Sequence, residues 1–482
     1  MLPIATRGEL YLSQGNYVVR DLNMPCPIVI RGAGMSTASI NYQGATTAGL
    51  RWVVAGFPSI TPSQQLWGGG ISGVTLTYTS GSADALLVEG FNQWFARDVK
   101  IVNPQGGVHI KSGFGQKLDN VRLENVNGFM VKIEGDLSGR KRDGSACSTS
   151  SPDCSSRVDF VTLDHINSYS NGVNGHCVDL IGFANTIMGE HIACEGFDRG
   201  LSITCPAGMA ADLSQCPHFI FMNDFQNEFF NSYGLYATDF LDLKMDKPYF
   251  YGNGAAANQN NVYIAVVNYP IKGGNPVGKA KFSNGLFFSA QKDCVLIEGS
   301  NVTDIKFLSS DINGCNESNG GFGGINLIGV SGEINILGNT FCEVSNYGGA
   351  FPMAYGVKVG AGTGKTQIVD NSFWDCTARV VNVSTGNVML RANNGPSNAS
   401  MGSCGGNSGL QGNEQHMTIS VGTGTPSRCV VNFGSGNFSK APTCVVSPGP
   451  GSVAISSIAT TQTQLTINGT KLSGTYFAIC QD

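Results

Sequence analysis

Three segments of this chain align without a gap: Val121-Arg-Leu-Glu-Asn-Val126, Val161-Thr-Leu-Asp-His-Ile166 and Ile187-Met-Gly-Glu-His-Ile192. Within each, apolar and polar positions alternate, the period-2 pattern of a strand with one buried face. A second short apolar segment follows each one, at Val131-Lys-Ile133, Val178-Asp-Leu180 and Leu201-Ser-Ile203. The pairing runs through most of the chain. First strands are expected to start near Val74, Val99, Val121, Val161, Ile187, Ile220, Leu243, Ala280, Ile305, Ile334 and Ile368. Second strands are expected near Leu86, Val108, Val131, Val178, Leu201, Leu235, Val262, Val295, Ile325, Val357 and Val381. Where loops are short the period is 22 to 26 residues. A strand-only repeat of that length predicts a solenoid whose turns each add one rung to several parallel sheets. A sandwich would be built on hairpin turns, and a propeller needs about 40 residues per blade. Like segments recurring in the same order and phase fit neither.

Three insertions, 137–157, 204–218 and 266–279, interrupt the rhythm. Each falls after a second strand and before the next first strand, so all three are expected along one edge of the solenoid, as a wall for a binding face. The solenoid is expected over 1–392, with 1–40 as cap and opening coils and 41–392 as the body. The pattern stops after Val388-Met-Leu-Arg391, and 393–413 reads as a Gly/Ser/Asn-rich linker. A separate module is expected over 414–482, with alternating segments at Met417–Val421, Arg428–Phe433, Thr443–Val446, Val453–Ile458, Gln464–Ile467 and Thr475–Cys480. Short strands and turns at that spacing predict a small β-sandwich.

Composition narrows the function. The 482 residues carry 29 Lys and Arg against 34 Asp and Glu, a net charge of −5, which argues against a nucleic-acid binder. No apolar run approaches the roughly 20 residues needed to cross a bilayer. The N-terminus, Met1-Leu-Pro-Ile-Ala-Thr-Arg-Gly-Glu-Leu10, lacks the apolar core of a secretory signal, so synthesis in a cytoplasm without a signal peptide is expected. Of the 15 cysteines, Cys177, Cys194, Cys294, Cys315, Cys342 and Cys376 sit singly inside strand repeats, where they read as small apolar core residues. Cys147/Cys154 and Cys205/Cys216 bracket loops and are candidates for disulfides outside a reducing compartment. No cofactor motif and no metal-ligand spacing is present.

Candidate chemistry comes from the alignment itself. In the first strand, positions one and three point inward and positions two and four outward. Position four reads Thr77, Val102, Glu124, Asp164, Glu190, Asn223 and Asp246 in successive coils. Stacked strands lie ~4.8 Å apart, so Glu124, Asp164 and Glu190 are expected one rung apart. Those separations match the carboxylate spacings of glycoside hydrolysis, and these three are the candidate catalytic residues, with Arg122 beside them to hold one carboxylate ionised. Position two supplies Lys100, Arg122, Phe221 and Lys244. Candidate substrate contacts are Arg122, Tyr169, Phe221, Tyr236, Tyr263, Lys244 and Asp246, the aromatics as stacking surfaces for sugar rings. Outward positions on any such solenoid are often acidic, and His165 and His191 read first as corner residues.

Two stretches carry a family resemblance. The opening Cys26-Pro-Ile-Val-Ile-Arg-Gly-Ala-Gly-Met35 resembles the first coils of pectate-lyase-like right-handed β-helices, phage tailspikes among them. In the terminal module, Ala441-Pro-Thr-Cys-Val-Val-Ser-Pro448, Ser456-Ser-Ile-Ala-Thr-Thr461 and Tyr476-Phe-Ala-Ile-Cys480 look like C-terminal modules of phage tail fibres and tailspikes. The resemblance implies an all-β, right-handed, single-stranded parallel β-helix with a small C-terminal β-sandwich. It also implies a homotrimer on a virion tail, attached through other tail or baseplate proteins, that binds and depolymerises host surface polysaccharide without entering the membrane. A non-catalytic receptor-binding spike has the same fold. A polysaccharide lyase would need a Lys or Arg base, for which Lys100, Arg122 and Lys244 stand available.

Overall fold

The computed structural model describes residues 8–43, 48–79, 84–148, 154–170, 175–206, 216–252, 259–265, 278–342, 351–384 and 388–391, and parts of 393–481. Strands dominate it. The one helical segment among the described residues is a three-residue 3-10 turn at Pro62–Gln64, and no helix is long and apolar enough to cross a membrane.

From Gly8 to Arg391 the strands stack in parallel as a β-helix. One sheet of 13 strands holds the predicted second strands, and one of 22 strands holds the rest apart from Leu66–Trp67 and Phe91–Asn92, which pair as a small two-stranded sheet. Along the 13-stranded sheet a single inward column runs Leu22, Leu50, Leu86, Val108, Val131, Val178, Leu201, Leu235, Val262, Val295, Ile325, Val357 and Val380. Ten of the eleven predicted second-strand starts sit in it; the last rung is Val380 rather than Val381. Because every rung presents a β-branched or leucine side chain to the axis, the column is a continuous dry core. Each such side chain contributes about 1.5–3 kcal/mol on burial.

The 22-stranded sheet is folded into two faces. The fold is made by left-handed residues set five apart: Asp98 and Asn103, Asn120 and Asn125, Phe160 and His165, Thr186 and His191, then Phe219, Asp224 and Phe229. Between two bends lie four residues that alternate in, out, in, out. Val161, Leu163, Ile166 and Ser168 are buried, while Thr162, Asp164, Asn167 and Tyr169 face outward. The first face thus contains Val161–Asp164 and the second Ile166–Tyr169.

This geometry corrects the expected register. Val121 pairs with Ile166, not Val161, and Glu124 pairs with Tyr169, not Asp164. Val74, Val99 and Val121 form second-face rungs. Val161, Ile187, Ile220, Leu243, Ala280, Ile305 and Ile334 form first-face rungs. A slip of five residues carries every bend onto a bend and every inward residue onto an inward one, so alternation alone cannot detect it.

The interior cysteines are also corrected. Cys177 bonds to Cys194, Cys294 to Cys315 and Cys342 to Cys376, with Cα separations of 6.0, 5.4 and 5.2 Å. Cys177 and Cys194 reach each other from inward positions of neighbouring strands, whereas the other four lie in the buried connections beside strand ends, and each pair is within bonding reach. Cys147–Cys154 and Cys205–Cys216 are bonded as well. Late in the solenoid, buried Asn339 and Asn371 and half-buried Asn393 form a ladder with amide bonds of 3.0 and 3.1 Å, beside stacked Phe341 and Phe373.

The terminal module is two four-stranded antiparallel sheets over a core that includes Met417, Ile419, Val431, Leu465, Ile467 and Tyr476. Two bridges, Cys404–Cys429 and Cys444–Cys480, staple it. Ser400–Met401 and Gly409–Gly412, inside the expected linker, are strands of these sheets, and the fourth predicted segment forms its strand later, at Ser457–Thr461.

Candidate functional site

A groove of about 720 Å3 runs along the first face, lined by Thr162, Asp164, Met188, Glu190, Phe221, Asn223, Lys244, Asp246, Lys281 and Ser283 among others. All of these ten are outward positions of five successive coils. Their alternating partners Leu163, Met222 and Met245 point to the core, which fixes the polar row on the surface. Gly189 belongs to the inward set, and a Cβ there would lie 2.3 Å from Met222 Sδ.

The acidic column of this face reads Asp119, Asp164, Glu190, Asn223, Asp246 and Ser283 in register. Asp119 therefore occupies the rung expected for Glu124, and it is tied to Arg97 and Lys117 at 3.2 and 3.4 Å. Asn223 Nδ2 donates to Glu190 Oε1 over 3.3 Å. Asp246 Oδ1 accepts from Asn284 Nδ2 at 2.8 Å and from Ser283 Oγ at 2.9 Å. Those two donors, with Lys247 and Lys281 nearby, hold the Asp246 carboxyl below the usual range. Lys244 Nζ sits 5.1 Å from the centre of the Phe221 ring.

Five of the ten sequence candidates, Asp164, Glu190, Phe221, Lys244 and Asp246, thus converge on one groove. The other five do not. Glu124 and Arg122 lie on the second face, bonded to each other at 3.1 Å, and Glu124 also to Lys100 at 2.9 Å. Tyr169 is on that face too, in an outward column that continues through Glu195, Glu228 and Tyr251. Tyr236 and Tyr263 stand on the 13-stranded sheet and stack on each other, 5.3 Å apart and 19° inclined. Arg199 covers the ring of Tyr236 at 3.9 Å, so these rings face one another and a guanidinium. None of the described residues of the 137–157 insertion lines the groove; 149–153 lie outside the described residues, as do 207–215 and 266–277 in the other two insertions.

The outer face of the 13-stranded sheet carries a polar set the sequence reading missed. His109 is held between Asp84 Oδ2 at 3.3 Å and Glu134 Oε2 at 2.9 Å, and Lys132 Nζ meets Glu134 at 2.9 Å. Burial opposes the charge on His109, but the two carboxylates outweigh it and raise its pKa. His109 and Lys132 in turn draw Glu134 down to about 2. Farther along, His176 Nδ1 lies 3.4 Å from Asp179 Oδ2, beside the Arg199–Tyr236–Tyr263 stack, and Tyr263 donates to Glu298 Oε1 at 2.5 Å. The signal available in sequence was the polar residue between the two apolar ones of each second strand, His109, Lys132, Asp179 and Ser202, in the column that runs on into the already named Tyr236 and Tyr263.

Neither a protein-family model nor a curated protein matches the sequence. Solved structures do. A tailspike protein of bacteriophage CBA120 aligns over 80% of this chain and 56% of its own, with 13% identity and a TM-score of 0.55. The chain therefore spans little more than half the length of that protein. The A-module of the mannuronan C-5 epimerase AlgE6 of Azotobacter vinelandii covers 81% of this chain and 91% of its own at 12% identity and a TM-score of 0.42. The tailspike gp49 of Pseudomonas phage LKA1 covers 97% and 66% at 10% identity and a TM-score of 0.41. The chain has the tailspike-type parallel β-helix fold, followed by a small antiparallel β-module.

Proposed function

We propose that this protein is a tailspike-like depolymerase that binds a host surface polysaccharide in the first-face groove and hydrolyses its glycosidic bonds. The observation that carries the reading is the pair of an exposed Glu190 and a half-buried Asp246, lining one groove on either side of Asn223. Two rungs separate them by roughly 9–10 Å at the backbone, close to the ~6.5–9.5 Å carboxyl spacing that leaves room for a water molecule. Asp164, one rung from Glu190, is shielded by two imidazoles and is the less available of the three.

In this reading Glu190 donates its proton to the leaving glycosidic oxygen. Asp246, kept ionised by Asn284 and Ser283, takes a proton from the water that attacks the anomeric carbon from the opposite side. The bond from that carbon to the leaving oxygen breaks as the new carbon–oxygen bond forms, and the anomer is inverted. Phe221 and Met188 offer apolar surface to a sugar ring, while Lys244 and Lys281 favour acidic sugars. Asp164 and Glu190 remain in the proposed site; Glu124, Arg122, Tyr169, Tyr236 and Tyr263 do not. Residence on a virion tail and assembly as a homotrimer with other tail proteins are proposed with it.

The test is release of reducing ends from capsular or lipopolysaccharide glycans by the wild type, Glu190→Gln and Asp246→Asn, with the product anomer read by NMR. Loss in both variants with inverted product supports the reading. Products carrying a new double bond would make the enzyme a lyase, and binding without fragments would make it a receptor-binding spike.

A second reading is favoured by one observation. Every connection of ten residues or more lies at an edge of the 13-stranded sheet, whereas from Val74 on the corner between the other two faces is one or two residues. Catalysis on that sheet would use Asp179, with His176 and Arg199 beside it. Full activity of Glu190→Gln together with loss in Asp179→Asn would select it.

A further inference from the structure

We propose that Asp164, His165 and His191 form a binding site for a divalent transition-metal ion at the rim of the first-face groove. One oxygen, one nitrogen and one nitrogen, from these three side chains, all lie within 4.8 Å of one another. The arrangement follows from the coil geometry. His165 and His191 occupy the same bend in successive coils, with φ of 51° and 52°, and their rings stack 4.5 Å apart at 27°. Stacking turns both Nδ1 atoms to the same side, where Asp164 Oδ1 lies 2.7 Å from one and 3.7 Å from the other.

That oxygen has a second peculiarity. It is shielded from solvent, yet no donor meets it with hydrogen-bond geometry. A shielded carboxylate oxygen that accepts no hydrogen bond is costly and uncommon. A cation between the oxygen and the two nitrogens would satisfy it. Metal–ligand distances near 2.0–2.2 Å require ligand atoms roughly 3–4 Å apart, which small side-chain rotations supply from the observed positions. Two imidazoles and one carboxylate select Zn2+, Co2+, Ni2+ or Cu2+ over Mg2+ and Ca2+, which take oxygen ligands.

The site is open. The His165 and His191 side chains are 61% and 44% exposed, so further coordination positions remain for water or for a sugar oxygen. Asp164 lines the groove one rung from Glu190, and a bound ion would meet the same polysaccharide. The effect on substrate rests on the hydrolase reading; the binding of the ion does not.

The experiment is calorimetric titration of tag-free, chelator-treated full-length protein with Zn2+, together with the visible absorption of the Co2+ form. One Zn2+ per chain is expected, with no comparable heat from Mg2+. His191→Asn and His165→Asn should each weaken Zn2+ by at least about tenfold and remove the Co2+ bands. Asn suits the left-handed bend and stands at the equivalent corner in Asn120, so both variants should fold, which a thermal melt verifies. His109→Gln should leave binding unchanged. No saturable Zn2+ binding, or binding equal in wild type and His191→Asn, overturns the proposal. Zn2+ binding with full cleavage by Glu190→Gln keeps the metal site and removes the hydrolase reading. Cleavage lost in Glu190→Gln without Zn2+ binding does the reverse.

Discussion

Asn223 reaches across one rung of the first face to donate its side-chain N–H to Glu190 Oε1 over 3.3 Å. The contact draws Glu190 along the solenoid axis toward Asp246, the next carboxylate beyond Asn223. In the proposed hydrolase, replacing either carboxylate by its amide would remove one proton-transfer partner while keeping shape. Glu190→Gln and Asp246→Asn are each expected to lower release of reducing ends by at least ~10²-fold, the usual scale for a general acid or base. Glu124→Gln, on the second face, should keep full rate. Equal rates in all three variants would move the chemistry elsewhere.

The disulfides give a count. Seven bridges use fourteen of the fifteen cysteines, and Cys26 is exposed and free. Thiol titration in denaturant should find one reactive group before reduction and fifteen after it. Peptide mapping should recover Cys177 joined to Cys194. Fifteen thiols before reduction, in protein made under oxidising conditions, would contradict the assignment.

The Asp84–His109–Glu134 cluster predicts a pH window. Burial works against the imidazolium, yet its carboxylate neighbours raise the His109 pKa above its ordinary 6.5, so its contribution is complete below 6.5 and lost as pH climbs through the raised value. Glu134 is depressed from 4.5 to about 2, chiefly by His109 and then Lys132. Its contribution is present above 4.5 and lost as pH falls toward 2. His109→Gln should therefore lower Tm most between pH 4.5 and 6.5, and the gap should narrow on either side. A constant gap across pH would refute this.

Asp293 is buried and accepts from Tyr355 Oη at 2.5 Å, Gly323 N at 2.8 Å and Asn326 Nδ2 at 2.9 Å. Burial raises its pKa against the pull of these donors. Tyr355→Phe leaves the carboxylate one donor short and should cost about 1–3 kcal/mol in denaturant unfolding.

In the terminal module, Val445 is paired with Ile479 and Ser447 with Phe477 across two strands. Val445, Ile479 and Phe477 are 64%, 46% and 47% exposed on one sheet face. If the trimer forms through this face, light scattering should give three chains per particle for wild type and one for the double variant Val445→Asp, Ile479→Asp. A wild-type monomer at micromolar concentration would rule the trimer out.

Much of this molecule was legible in its sequence. Alternation and recurrence gave the parallel solenoid, because a strand with one buried face must show its period. They also located the inward column from Leu86 to Val357, where each coil offers only one apolar triplet. The outward placing of Asp164, Glu190, Phe221, Lys244 and Asp246 followed from the same parity. What alternation could not hold was phase. With bends every five residues and four alternating positions between them, Val121-Arg-Leu-Glu124 fits the first face and the second face equally well, and only inter-coil hydrogen bonding chose the second. That choice removed Glu124 from the groove, put Asp119 in its rung and brought Tyr169 beside Glu124 instead. Disulfides such as Cys177–Cys194 and the closing of His191 onto Asp164 arise likewise between coils, from distances across the solenoid that no spacing along one strand encodes.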